Sequence, residues 1–248
     1  MNVERAKIQI ESSQNFLKLI SRYLNPSQHK KLLDVGAGGG ILVDEANKFG
    51  FDAVGIEINK LLVAEATKRN IPVLWGNIEN IEIFPFNYKF DIIVLNHLLE
   101  HLNDPVKTLS KLKEYLRDGG FLIIEVPNIE SYLAKKHKLS WKYIALEHIF
   151  YFSEKTLSKI LSQIGFKIID VKRRNFEISH FSGRTMLQYI LGTKIKRDRF
   201  KMKVPRISER TPQIKRENFF KKIIKRFLVF LIKILGREDH LIFITKKL

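Results

Sequence analysis

The chain contains no cysteine. That absence excludes disulfides and thiolate metal sites, and it suits a reducing compartment. Long apolar runs are missing too. The longest uninterrupted one spans 227–232, far short of the roughly 20 residues a membrane-crossing helix needs. Residues 1–21 mix charges throughout and lack the apolar centre of a secretory signal peptide. There is no internal repeat and no low-complexity tract. A cytoplasmic location is the expectation.

Positive charge is what the chain has in excess. Its 44 Lys/Arg against 26 Asp/Glu leave a net +18. The surplus is local. Residues 194–237 hold 16 basic residues against only Asp198, Glu209 and Glu217, so they account for +13 of it. The rest is a nearly balanced globular body. At 248 residues the chain can bury the core of one α/β domain and still carry an appendage.

Apolar spacing predicts a helix over about 5–24, stopped before Pro26. Strands are expected at 31–35, 52–57, 73–75, 90–95, 121–126, 166–171 and 240–245. Helices are expected at 41–49, 60–69, 105–117 and 154–164, with Asp104 and Ser153 as N-caps and Gly50 and Gly165 as stops. This alternation predicts a doubly wound, Rossmann-like, seven-stranded α/β sheet, mostly parallel. Ligands in such sheets bind at the carboxyl ends of the strands.

The residues at those ends carry the functional signal. After the first strand comes Asp34-Val35-Gly36-Ala37-Gly38-Gly39-Gly40. A glycine-packed strand-to-helix turn lets bare backbone N–H groups approach a ligand. A dinucleotide fingerprint would need glycine at 41, which is Ile41. Here the glycines fall at 36, 38 and 40. Glu57 ends the second strand, 19 positions beyond Gly38, where an acidic side chain can accept both hydroxyls of a ribose. Asn77 and Ile78 follow the third strand. The fourth runs into Asn96 and His97 within F-D-x-x-x-x-x-x-L-x-E-H-L-x-D-P, from Phe90 to Pro105. After the fifth come Val126-Pro127-Asn128 and then H-x-x-x-F-S-x-x-T-L, from His148 to Leu157.

Over residues from about 30 to 172 this ordered set resembles the class I S-adenosyl-L-methionine (SAM)-dependent methyltransferases. The likeness is to the subgroup that includes quinone-biosynthesis and glycan- or small-molecule-modifying enzymes. It implies the same fold with an antiparallel last strand, with SAM bound and S-adenosylhomocysteine (SAH) released. It implies cofactor contacts from Asp34, Gly36, Ala37, Gly38, Gly40, Glu57, Asn77, Ile78, Asn96 and His97. In the resembled family an Asp often stands where Asn77 does, so the adenine contact here falls to an uncharged amide. His148 and His97 are the candidate catalytic residues. An imidazole can remove a hydroxyl proton as the methyl group transfers, although alignment of the nucleophile alone can drive such a transfer. Glu100 and His101 are read as organising the loop over the cofactor. One Glu with one His makes no metal site, and none is expected.

The expected organisation is a core over 1–175, a basic helical insertion over 176–237 and the last strand within 238–248. The stretch 194–216, with Pro205 and Pro212, reads as a linker. The stretch 218–235 alternates Phe219, Phe220, Ile223, Ile224, Phe227 and Leu228 with Lys221, Lys222, Lys225 and Arg226. Such a basic amphipathic helix suits either an anionic membrane surface or a lid over the substrate. Nucleic acid ranks lower as a partner, because few aromatics are available for base stacking. The acceptor expected is a small or lipid-linked molecule, methylated on oxygen by a protein peripheral to the inner membrane face. The rival is a non-catalytic SAM-binding scaffold that docks on membrane or RNA through the basic arm.

Overall fold

The computed structural model describes residues 3–24, 27, 28, 30–80, 88–174 and 238–248. The basic insertion expected over 176–237, with its linker and its helix over 218–235, lies outside them. The described elements are α1 (Val3–Ile20), β1 (Lys31–Val35), α2 (Ile41–Lys48), β2 (Asp52–Glu57), α3 (Lys60–Lys68), β3 (Val73–Trp75), β4 (Phe90–Asn96), α4 (Pro105–Tyr115), β5 (Leu116–Pro127), α5 (Tyr132–His137), α6 (Glu154–Ile164), β6 (Phe166–Arg174) and β7 (His240–Lys247).

The strands form one seven-stranded sheet in the order β3-β2-β1-β4-β5-β7-β6. The pairs from β3 to β5 are parallel. β7 runs antiparallel to both β5 and β6. From β1 the chain winds outward through β2 to β3, then returns to lay β4 on the other side of β1. That reversal makes the carboxyl ends of β1 and β4 the place where a crevice opens.

Both sheet faces are covered, which explains the unbroken apolar runs of the central strands. Alternate residues divide between two cores. Leu33, Val35, Ile93 and Leu95 pack with Leu109 and Leu112 of α4 and Leu157 and Leu161 of α6. Leu32, Ile92 and Val94 pack with Phe16, Leu17 and Ile20 of α1 and Leu42, Val43 and Ala46 of α2. The helix starts follow their caps. The Asp104 side chain accepts the Lys107 N–H ahead of Pro105. Ser153 and Thr156 cap each other's backbone at α6.

Several bounds shift by up to four residues, with α1 ending at Ile20 and β6 and β7 running on to Arg174 and Lys247, and two elements differ more. β5 starts at Leu116 rather than Phe121, because Leu116 already pairs with Phe90 while Phe121 pairs with Ile92. Residues 117–120 bulge between those two pairs, and Arg117 Nε meets Asp91 Oδ1 at 2.5 Å. The short helix α5 was not anticipated. Its N-cap is the Ser131 hydroxyl, which accepts the Ala134 N–H.

Gly40 closes the turn after β1 with a left-handed backbone, φ +77°. A Cβ there would lie 2.7 Å from Ile71 Cγ2 and 2.9 Å from Val73 Cγ2. At Gly38, φ +54°, a Cβ would meet nothing within 4 Å. Gly40→Ala is therefore expected to cost about 3 kcal/mol, from backbone strain plus overpacking. Gly38→Ala should carry only the strain, about 1 kcal/mol. Urea denaturation of the two variants checks the difference.

Candidate cofactor and acceptor site

The glycine turn is fastened to the end of β2. The Gly36 and Ala37 N–H groups donate to the Ile56 carbonyl at 2.8 and 2.9 Å. The Gly38 N–H donates to Glu57 Oε2 at 2.8 Å, and the Asn59 N–H donates to Glu57 Oε1 at 2.8 Å. Glu57 is buried. Two backbone donors hold its carboxylate, and each oxygen keeps a further lone pair for a ligand hydroxyl.

Two hollows flank this turn. One, of about 170 Å³, lies between the ends of β2 and β3 and is lined by Gly36, Glu57, Ile58, Asn77, Ile78 and Leu98. Asn77 takes a double part, since its Oδ1 accepts the Glu79 N–H at 2.9 Å. The amide oxygen proposed for adenine thus already caps the turn after β3, with one lone pair remaining. Ile78 is buried and Ile58 exposed, an apolar pair of the kind a flat base packs against.

The other hollow, of about 360 Å³, is lined by Asp34, Gly36, Ala37, Gly38, Asn96 and His97, by Gln9, Ser12 and Ser13 of α1, and by Arg174. Asn96 Oδ1 is buried and has no hydrogen-bond partner among the described residues. An orphaned acceptor beside a turn whose Gly38 faces open space fits the methionine end of SAM. Gly36, Gly38, Asp34 and Asn96 would hold that end, and Glu57, Asn77 and Ile78 the nucleoside. Gly40 instead packs its backbone against Ile71 and Val73.

Burial, with the nearby Glu57 charge, pushes the Asp34 carboxyl up to about 7. Folded Asp34 keeps its proton to higher pH than the unfolded chain does. Its burial therefore erodes stability as pH rises from about 4 to about 7. An ammonium group bound in this hollow prefers the ionised form. SAM affinity is accordingly expected to rise with pH from 6 to 8, by up to about tenfold, and Asp34→Asn should remove most of that slope. Calorimetric titrations across pH check this.

Beside this hollow lies a polar knot built on Glu125, fully buried at the end of β5. Arg174 Nε and NH2 donate to its two oxygens, both at 2.6 Å. His240 Nδ1 lies 3.2 Å from Oε1 and His97 Nε2 lies 3.8 Å from it. Burial works against the Glu125 charge, but His240, Arg174 and His97 overcome it and hold the carboxyl at about 2. His97 has φ +54°, and its N–H donates to the Glu125 carbonyl. Its Nδ1 meets Glu100 Oε1 at 3.3 Å. Burial opposes its charge, yet the Glu100 hydrogen bond and the Glu125 and Glu100 charges raise its pKa, with Arg174 opposing. His240 is held neutral, at about 4. Burial is the main cause, and the His97 and Arg174 charges add to it against Glu125.

The turn carrying Glu100 and His101 pins the loop that bears His148. The Ile149 and Phe150 N–H groups donate to the Glu100 carbonyl at 2.8 and 3.1 Å. His101 Nδ1 meets the Glu147 carbonyl at 2.9 Å. The His148 and His101 rings are 4.6 Å apart, edge to face. Burial lowers the His148 pKa and His101 adds to that, against the pull of Glu100. Tyr143 lies between the two candidate catalytic histidines, nearly parallel to His97 at 6.4 Å and to His148 at 6.3 Å. Among the described residues, two groups bring potential ligand atoms within 4.8 Å of one another, His97-Glu125-His240 and Glu100-His101-His148. In the first, the Arg174 guanidinium already covers the carboxylate. In the second, one His101 nitrogen is already on a carbonyl.

Sequence reasoning missed Glu125, Arg174, His240 and Tyr143. The signal for Glu125 was present: a carboxylate interrupting the apolar run of a central strand needs a buried partner. Nothing in the sequence pointed to which partners.

A turn of this kind at the reversal point of such a sheet defines a class of α/β protein that binds nucleoside ligands. A family model described as a methyltransferase domain matches residues 8–171. The chain belongs to this family of SAM-dependent methyltransferases. It is 30% identical over 115 residues to a ubiquinone biosynthesis O-methyltransferase of Cereibacter sphaeroides, covering 42% of this chain and 43% of that protein. It is 33% identical over 117 residues to a ribosomal protein L11 methyltransferase of Campylobacter fetus, covering 46% of this chain and 41% of that one. The chain thus spans less than half the length of these two relatives. A SAM-dependent methyltransferase structure from Archaeoglobus fulgidus superposes with a TM-score of 0.62 at 20% identity, covering 96% of this chain and 94% of that one. That likeness establishes the shared fold.

Proposed function

We propose that this protein transfers a methyl group from SAM to an oxygen of a small-molecule or lipid-linked acceptor of glycan or quinone-like type. The observation that carries the reading is the Gly38–Glu57 clasp beside the hollow that Asn96, with its unpartnered Oδ1, lines. Oxygen as the accepting atom is supported by the name of the ubiquinone-biosynthesis relative. When bound, SAM supplies an electrophilic methyl group on a sulfonium.

The chain supplies position and proton handling. Glu57, Asn77 and Ile78 would hold the nucleoside, and the glycine turn with Asp34 and Asn96 would meet the methionine end, Asp34 facing its positive charge. His97, its pKa raised by Glu100 and Glu125 against burial, lies between those two carboxylates and holds the loop after β4. Of the two candidate catalytic histidines, only His148 has its pKa lowered, which favours its neutral ring. The described loop around it exposes Leu139, Leu146 and Ile149, apolar surface that suits a hydrophobic acceptor.

The test is calorimetric binding of SAM and SAH, followed by SAH release with a panel of phenols and sugars. Micromolar binding, about −8 kcal/mol, with turnover of a hydroxyl acceptor supports the reading. Binding without turnover of any acceptor favours the scaffold. A well-folded protein that binds neither ligand overturns the reading. The proposed cytoplasmic, membrane-peripheral placement rests on the basic sequence over 218–235. It fails if the protein cosediments equally with neutral and anionic vesicles.

A further inference from the structure

We propose that Tyr143 is the residue that receives the acceptor's hydroxyl proton, with His240 and Glu125 lined up behind it as a relay. The inference rests on the methyl-transfer reading and adds the proton path to it. The Tyr143 hydroxyl is hydrogen-bonded to His240 Nε2. On the far side of the same ring, His240 Nδ1 lies 3.2 Å from Glu125 Oε1, close enough for the charge to act but without hydrogen-bond geometry. The carboxylate charge beside Nδ1 favours the tautomer with its proton there, leaving Nε2 as an acceptor for the phenol. The order is carboxylate, imidazole, hydroxyl, the arrangement by which a hydroxyl is readied for proton exchange.

The relay stands next to the site. The Tyr143 ring is 6.4 Å from that of His97, which lines the SAM hollow, and 6.3 Å from that of His148. The Trp141 ring meets it edge-on at 5.1 Å, and the His240 ring at 5.2 Å. The phenol is half-buried, and His240 and Glu125 are fully buried. Around His148, among the described residues, the ring contacts are His101, Tyr143 and Tyr151, and its Nδ1 is buried without a hydrogen-bond partner. An imidazolium formed at His240 would face Glu125 directly.

The step balances as follows. The acceptor oxygen forms a bond to the methyl carbon as the carbon–sulfur bond breaks, its electron pair staying on sulfur to give the thioether. The acceptor's proton moves to the Tyr143 oxygen, and the Tyr143 proton moves to His240 Nε2. His240 becomes an imidazolium beside ionised Glu125 and later loses that proton to solvent. A weak base suffices, because the attacking oxygen becomes strongly acidic as its bond to carbon forms. Among the described residues, the charged groups facing His240 include Glu125, Arg174 and His97, and Lys142 lies over the Tyr143 ring at 4.4 Å.

The experiment has two arms on the full chain. In the first, nitrogen-15 NMR of the histidines is recorded on the SAH complex. His240 is expected neutral with its proton on Nδ1 from pH 5 to 8, its Nε2 resonance moving in Tyr143→Phe. A charged His240 at pH 7, or a proton on Nε2, overturns the relay. In the second, SAH release is measured with catechol as the hydroxyl probe. Tyr143→Phe should lower kcat at least about 100-fold while SAM binding stays within about twofold. His148→Ala should lower kcat less than about tenfold. Near-wild-type turnover by Tyr143→Phe, or methylation of amine probes alone, overturns the relay while leaving methyl transfer intact. Failure of the wild type to bind SAM overturns the methyl-transfer reading instead, and the first arm then judges the Glu125–His240–Tyr143 geometry on the unliganded chain.

Discussion

Glu57→Ala is expected to weaken SAM binding at least about 100-fold, near 2.7 kcal/mol, while the protein stays folded. Three losses add. The substitution removes a charged acceptor for ligand hydroxyls, and hydrogen bonds to charged groups contribute about 1.5–3 kcal/mol. It releases the Gly38 N–H, which now donates to Glu57 at 2.8 Å. It also releases the Asn59 N–H ahead of α3. The turn then loses the side chain that fixes its distance from β2. Glu57→Gln separates these contributions. It keeps an oxygen for one N–H but turns the other position into a donor, so it should recover only part of the affinity. Calorimetry on all three proteins, with circular dichroism to confirm folding, decides the matter. Unchanged affinity in Glu57→Ala would remove Glu57 from the binding site.

Glu125→Leu should have the largest effect on stability. The carboxylate is fully buried and takes two 2.6 Å bonds from Arg174. Removing it leaves the guanidinium and His97 without their central counter-charge. Breaking a buried pair from one side costs about 3–5 kcal/mol, a fall in Tm of roughly 10 °C or more for a chain of this size. The double variant Glu125→Leu, Arg174→Leu should be more stable than the single one, because it removes both sides of the buried pair. The pH dependence has a definite sign. Folded Glu125 sits at about 2, below its ordinary 4.5, so its stabilisation is complete above about 4.5 and is lost as pH falls towards 2. Calorimetric melting at pH 3 and pH 6 should show a smaller gap between wild type and Glu125→Leu at the lower pH.

The two halves of the site were unequally legible. Strands β1, β2 and β3 have the bounds that their sequence suggests, because each is a short, mostly apolar run between turn residues. Asp34, Glu57, Asn77 and Asn96 could be placed for the same reason. Each ends a strand or follows one, and parallel strands set their ends side by side. Glu125 is joined by residues 49 and 115 positions away, Arg174 and His240. No local period encodes that meeting. The antiparallel pairing of β6 with β7 creates it. Tyr143 was hidden differently, in a loop with no periodicity, where ring packing against Trp141 and His240 sets its place. Helix α5 had only a serine cap to announce it.

Arg174 and His240 are direct partners in the β6–β7 ladder. The chain therefore leaves the sheet and re-enters it at a single doorway, whatever length it travels between. For evolution, that doorway is a cloning site. The cost of closing a loop grows by only about 0.6 kcal/mol for each doubling of its length. Sequence can be added or lost there with little consequence for the sheet. A two-residue Asn-Gly turn joining Arg174 to His240 would be a natural minimal ancestor. Each inserted segment would be delivered beside the Glu125 knot, so acceptor preference can diversify while the cofactor half of the molecule is inherited unchanged.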